Sequence, residues 1–487
     1  MLWQTHRPKK GAKTLPTQCK PQQLEFQGLG RRKVVADFRG GRITSDAGAV
    51  LLREVEEGRG ILRRFAECFV DFRRPDRIEH TVLELISQRV YAIALGYEDI
   101  NDHDDLRQDP LLALLVGKTD PTGASRVRKR DRGYPLAGKS TLNRLELAPA
   151  GEESTHRYHK IVCRPRKVDR FFVETFLNAY REAPSRIVLD FDATDDPLHG
   201  AQEGRFFHGY YDCYCYLPLY VFCEDHLLRA RLRPSNIDSA KGALEELIRI
   251  VEQVRERWPD VQIVVRGDSG FCRDDLMAWC EGNGVDFIFG LARNNRLVKK
   301  IAQQMKKAKK RFYKTQQAAR SYRDFRYRTL KSWTRARRVV GKAEYLARGE
   351  NPRFVVTSLS KEEFCAQALY EDLYCARGDM ENRIKEQQLG LFADRTSSTM
   401  FAANQLRLWF SSVAYVLLCE LRRVGLKGTQ LARAQCTTIR NKLLKIGASV
   451  SVSVRRVWLR FASGYPYQKL FAQILENLRT HYVPLRT

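Results

Sequence analysis

Two spacings of apolar residues divide the chain. In its first hundred residues they recur at three- and four-residue steps over 46–57, 59–68 and 79–95, where Val82, Leu85, Ile86, Val90, Ile93 and Ala94 fall along one side of a helix. A small hairpin is predicted just before, from Val34–Phe38 through Gly40-Gly41 to Arg42–Thr44, and a short helix later, from Ser140 to Glu146. From residue 168 short apolar runs take over: a helix to 181, strands at 186–192, 211–217, 219–223, 262–266 and 286–290, and helices at 239–258 and 274–281 between them. Strand alternating with helix predicts an α/β fold, a mixed sheet flanked by helices. A further strand is predicted at 353–359, helices at 380–391 and 400–423, and a last strand where Val450, Val452 and Val454 alternate with serines.

These elements suggest a flexible basic tail (1–30), an N-terminal mainly helical block (31–165), a sheet region in two parts (166–295 and 371–487, the second with C-terminal helices) and a basic β-rich insertion between them (296–370). Two or three domains suit 487 residues, since one domain takes about 150.

Charge narrows the partner. Eighty-five Lys and Arg against fifty-seven Asp and Glu leave +28, a field that attracts a polyanion by counterion release, so nucleic acid is the leading expectation. Residues 296–338 hold seventeen of the cations and one acid, Asp324. There Phe325, Tyr327 and Trp333 interleave with Arg326 and Arg328, which makes the arginines candidate phosphate contacts and Trp333 a candidate stacking surface for an unpaired base. The twelve cysteines are scattered and form no C-x2-C pair, which points to a reducing cytoplasm and away from structural zinc. The most apolar stretch, 409–419, is too short for the roughly 20 residues of a membrane span.

Three acids stand out chemically: Asp192 near the end of an apolar strand, Asp268 after another, and Glu381 on a helix. Metal-assisted phosphodiester chemistry needs a few carboxylates on Mg²⁺, and strand ends are where open α/β sheets bind ligands. Asp190 and Asp192 lie two apart on one strand and face the same side, so either could be the ligand; Asp192 is favoured. Each acid alone also reads as a cap, a turn residue or a solvated helix face.

Tyr374, Arg377 and Glu381 are spaced Y-x2-R-x3-E. With Asp192-Ala-Thr-Asp-Asp-Pro-Leu-His-Gly, Arg205-Phe-Phe-His-Gly-Tyr-Tyr, Arg233-Pro-Ser-Asn and Arg-Gly-Asp268-Ser-Gly-Phe, the chain resembles the DDE transposases of bacterial insertion sequences, most nearly insertion-sequence family 1380, over roughly residues 30–480. The resemblance implies an RNase H-like catalytic core with a β-strand insertion between the second Asp and the Glu, and an N-terminal DNA-binding domain. It implies Asp192, Asp268 and Glu381 as catalytic ligands of two Mg²⁺ ions, with Mn²⁺ as a substitute. Its partners would be double-stranded DNA, both element ends and target, engaged by a homodimer or larger assembly in the bacterial cytoplasm, on the nucleoid. Tyr374 and Arg377 would then hold end DNA beside Glu381. Related enzymes often carry a Lys seven residues after the Glu; position 388 here is Gln, and Lys385 is the nearest substitute.

A competing motif, Gly133-Tyr-Pro-Leu-Ala-Gly-Lys-Ser140, satisfies the phosphate-loop pattern G-x4-G-K-[ST]. Such a loop must follow a buried strand, and the charged run at 126–132 cannot be one, while Pro135 removes an amide donor. No nucleotide cofactor is therefore expected. A P-loop ATPase and a non-catalytic basic DNA-binding protein remain the alternatives.

Overall fold

The computed structural model describes residues 23–148 and 159–482; most of the expected tail lies outside them. A nine-stranded mixed sheet organises the middle of the chain. Its spatial order is His226–Arg231, Leu219–Cys223, Arg186–Ala193, Gln262–Gly267, Asp286–Leu291, Arg353–Thr357, Arg337–Leu346 and Ala319–Tyr327, with Gly349–Glu350 pairing beside Arg337–Leu346. Arg186–Ala193, Gln262–Gly267 and Asp286–Leu291 run parallel, and their other neighbours antiparallel.

Alternation along the three parallel strands assigns the faces. Ile187, Leu189, Phe191, Ile263, Val265, Phe287 and Phe289 enter one core, under the helices Pro165–Leu177, Ala243–Arg257 and Asp274–Gly282. Val264, Ile288, Val340 and Val355 point the other way, against Leu369, Tyr370 and Leu373. Period two therefore puts Asp190, Asp192, Arg266 and Gly290 on this second face. The helical segment that covers it starts at Ala366–Ala368, widens into a π-helical turn over Leu369–Tyr374, tightens at Cys375–Arg377 and continues as the α-helix Gly378–Leu391.

Four sequence expectations change. The hairpin forms one step earlier, with Leu24–Leu29 pairing Arg32–Ala36, so the expected tail ends in a strand. Ile43–Thr44 instead pairs Ala448–Ser449, a partner no local pattern reveals. The insertion opens with helices, Asn295–Lys300 and Ala302–Thr315, and its strands extend the main sheet. Finally, the N-terminal helices do not close a core of their own: Leu85, Ile86 and Val90 share one with Phe410, Val413, Leu417 and Leu443, so the boundary at 165 is not a boundary in packing. No described helix is long and apolar enough to cross a membrane.

Candidate active site

The parallel register pairs Asp190 with Arg266, so two residues further on Asp192 and Asp268 come side by side at the strand ends. Asp190 is not a ligand candidate in this arrangement. It is 4% exposed and receives Nε and Nη2 of Arg266 at 2.5 and 2.7 Å. The same guanidinium donates through Nη1 to the Leu373 carbonyl. One buried side chain thus ties the Asp192 strand, the Asp268 strand and the helix leading to Glu381. Burial raises the Asp190 carboxyl above its ordinary range, opposed by Arg266. Sequence reasoning missed Arg266; the signal was an Arg ending an otherwise apolar strand.

Asp192, Asp268, Arg377, Glu381, Lys385 and Gln388 line one cleft of about 590 Å³. Arg377 bridges two of the acids, with Nη1 at 3.3 Å from Asp192 and Nη2 at 2.7 Å from Glu381. It is thereby engaged inside the site by both carboxylates. Burial pushes the Asp192 carboxyl up to about 7; Arg377 opposes this, and the charges of Asp268 and Glu381 add to it. Asp268 caps the turn Ser269–Phe271 by accepting from the Gly270 amide at 2.8 Å. Tyr374 is half-buried, and a Cβ on Gly290 would lie 2.6 Å from its hydroxyl and 2.9 Å from the Ser269 nitrogen, so only glycine fits beneath. Gln388 donates to the Asp195 carbonyl at 2.9 Å, holding the Glu381 helix to the strand end, and leaves Lys385 as the exposed cation of the cleft.

Among the described residues, no three Asp, Glu, His or Cys side chains gather closely enough to hold a metal ion. The guanidinium of Arg377 stands between Asp192 and Glu381, where a cation's charge would be felt. The three cleft carboxylates are oxygen donors of the kind a hard divalent cation takes, and Arg377 here supplies the positive charge between two of them.

The DNA contacts expected on the insertion are redistributed. Trp333 is 4% exposed, packed edge-on against Tyr327 with Arg337 over its ring, so it is not a free stacking surface. Arg326 donates to the Ala336 carbonyl and Arg328 to that of Trp333, although both side chains remain exposed. The unencumbered charge lies on the helix Ala302–Thr315, which buries Met305 and Ala308 and exposes Lys306, Lys307, Lys309, Lys310, Arg311 and Lys314. None of these six makes an ion pair among the described residues.

The phosphate-loop motif has no strand before it, only the turn Lys129–Asp131. The Lys139 amide donates to Asp104 at 3.0 Å and its ammonium lies 3.3 Å from the same carboxylate, so an acid fills the place a phosphate would take.

No curated protein matches the chain. Among solved structures, the cryo-EM structure of a piggyBac transposase synaptic complex with hairpin DNA aligns over 92% of this chain and 84% of that one, at 10% identity and a TM-score of 0.39, too loose a likeness to argue from. The family model described as transposase DDE domain group 1 matches residues 26–483, nearly the whole sequence with all three cleft carboxylates inside it. The chain belongs to the DDE transposase domain group 1 family.

Proposed function

We propose that the protein is a transposase of the insertion-sequence 1380 kind, which binds the terminal inverted repeats of its element, cuts DNA at their ends and joins the freed end to target DNA. The observation that carries this reading is the shared cleft of Asp192, Asp268 and Glu381, residues far apart in the chain and delivered by two adjacent strands and a helix. The order of the first five main-sheet strands, third-second-first-fourth-fifth, supports an RNase H-like core at 166–295 completed by 371–487.

Asp192, Asp268 and Glu381 would hold Mg²⁺ or Mn²⁺, whose chemistry is to activate an attacking oxygen and stabilise a leaving one. Arg377 keeps Asp192 and Glu381 apart from mutual repulsion and is the nearest cation for a scissile phosphate once released from them. Lys385 holds backbone charge at the cleft mouth. Further out, the six cations of the Ala302–Thr315 helix bind phosphates along the duplex, with the 31–165 helices as additional DNA-binding surface. The assembly would be a homodimer or larger, on paired ends, in the cytoplasm.

The test is cleavage of the DNA flanking the protein's own gene, with Mg²⁺, by Asp192→Asn, Asp268→Asn and Glu381→Gln. Each should bind the ends and fail to cut them. Parental cutting by one variant removes that residue from the site, and parental cutting by all three removes the enzyme.

A further inference from the structure

The alternation of Val450, Val452 and Val454 with serines has no part in the function proposed above. It belongs to a hairpin in which Ala448–Val452 pairs with Val457–Phe461, while Ile43–Thr44 pairs along the other edge of Ala448–Val452. Period two gives this ribbon two unlike faces. Ala448 and Val450 are buried and Leu459 packs on the core shared by the N-terminal helices, so one face is fixed to the fold. Ser449, Ser451, Ser453, Arg456, Trp458 and Arg460 fall on the other, all of them exposed except Ser449, which is half-buried.

The outer face is cationic and unopposed. Residues 421–475 contain eleven Lys and Arg and neither Asp nor Glu. Arg455, in the exposed turn, and Arg456 and Arg460 make no ion pair among the described residues. Trp458 is 47% exposed, and the guanidiniums of Arg456 and Arg460, two residues to either side, lie 5.8 and 5.4 Å from its ring centroid. Arg460 also donates to Ser451 Oγ at 2.8 Å. An indole and a hydroxyl thus order these arginines without neutralising them, and part of the entropy that a ligand would have to overcome is already lost. The surface is separate from the lysine-rich helix Ala302–Thr315, which packs on the strands Ala319–Tyr327 and Arg337–Leu346 at the far edge of the main sheet.

We propose that this ribbon is a second duplex-binding element, laid along a DNA groove with Arg455, Arg456 and Arg460 on backbone phosphates. The assignment rests on the transposase reading, which makes DNA the polyanion that the charge meets. Shape and chemistry then select a duplex: a two-stranded ribbon fits the major groove, about 12 Å wide, and arginines and serine hydroxyls are backbone donors that hold a duplex of any sequence.

The full chain is titrated by fluorescence anisotropy over a range of salt, with the duplex flanking its own gene and with an unrelated duplex of equal length. Arg455→Gln/Arg456→Gln/Arg460→Gln should lower the log–log salt slope by about 0.9 for each phosphate no longer held, equally on both. Trp458→Ala removes no charge and should weaken both by about 2- to 5-fold, a loss that net charge alone does not produce; Trp458→Tyr should retain most of the affinity. If the arginine variant keeps the parental slope, or Trp458→Ala binds as the parent does, or the loss is confined to one duplex, the ribbon assignment falls while the transposase reading stands. A parent that binds neither duplex overturns both.

Discussion

Replacing Arg266 by Met tests whether one buried guanidinium both stabilises this sheet and aligns the cleft. Arg266 is 7% exposed and donates two bonds to Asp190, itself 4% exposed, and one to the Leu373 carbonyl. Removing it leaves a carboxylate buried without its partner and a carbonyl without its donor. Breaking a buried ion pair from one side costs about 3–5 kcal/mol, against a total stability of about 5–15 kcal/mol for typical domains. Urea unfolding followed by circular dichroism should show that loss in Arg266→Met, and much of it should return in Arg266→Met/Asp190→Leu, where no charge remains buried. Cleavage should behave differently. The double variant still lacks the tether from the Asp268 strand to the helix carrying Arg377 and Glu381, and an ångström of misplacement costs about 100-fold in rate. Recovered stability with cleavage still about 100-fold down is the expected signature. A single-variant loss below about 1 kcal/mol, the range of surface pairs, would refute the buried-pair argument, and parental cleavage by the double variant would refute the tether.

Three other outcomes follow from the same geometry. Gly290→Ala places a methyl carbon 2.6 Å from the Tyr374 hydroxyl and should cost about 1–3 kcal/mol while cutting more slowly, measured by unfolding and cleavage side by side. His103 is fully buried, and that burial pulls its imidazole down to about 3. The unfolded chain therefore binds a proton that the fold refuses, so this contribution is whole above pH about 6.5 and is lost as pH falls toward 3. His103→Gln should flatten the urea midpoint between pH 6 and pH 4 by roughly one proton's worth. Substituting Gln at Lys306, Lys307, Lys309, Lys310, Arg311 and Lys314 should reduce the salt dependence of DNA binding by about 0.9 in log–log slope for each phosphate that is no longer neutralised; Gln at the ion-paired Arg320, Arg337 and Arg338 of the neighbouring strands should change it less for each cation removed.

Much of the site could be read from the sequence because burial on one sheet face imposes a period of two. Ile187, Leu189 and Phe191 had to face a core, which turned Asp190 and Asp192 to the opposite side, and Ile263 and Val265 did the same for Arg266. The spacing of Tyr374, Arg377 and Glu381 likewise placed them on one helical segment, although its π-helical turn left no local trace.

Local periodicity carries no information about lateral neighbours, and there only the tertiary structure decided. Asp190 and Asp192 are equivalent by alternation; the parallel register that sets Arg266 beside Asp190 makes one a buried ion-pair partner and leaves the other in the cleft. The pairing of Ile43–Thr44 with Ala448–Ser449 displaced the predicted hairpin for the same reason, since strand hydrogen bonds join residues that need share no local pattern. Among the cations of 296–338, residue type set the total charge. Which of them stay free for phosphates was decided by the acids and carbonyls that folding brought to the arginines and withheld from the lysines of Ala302–Thr315.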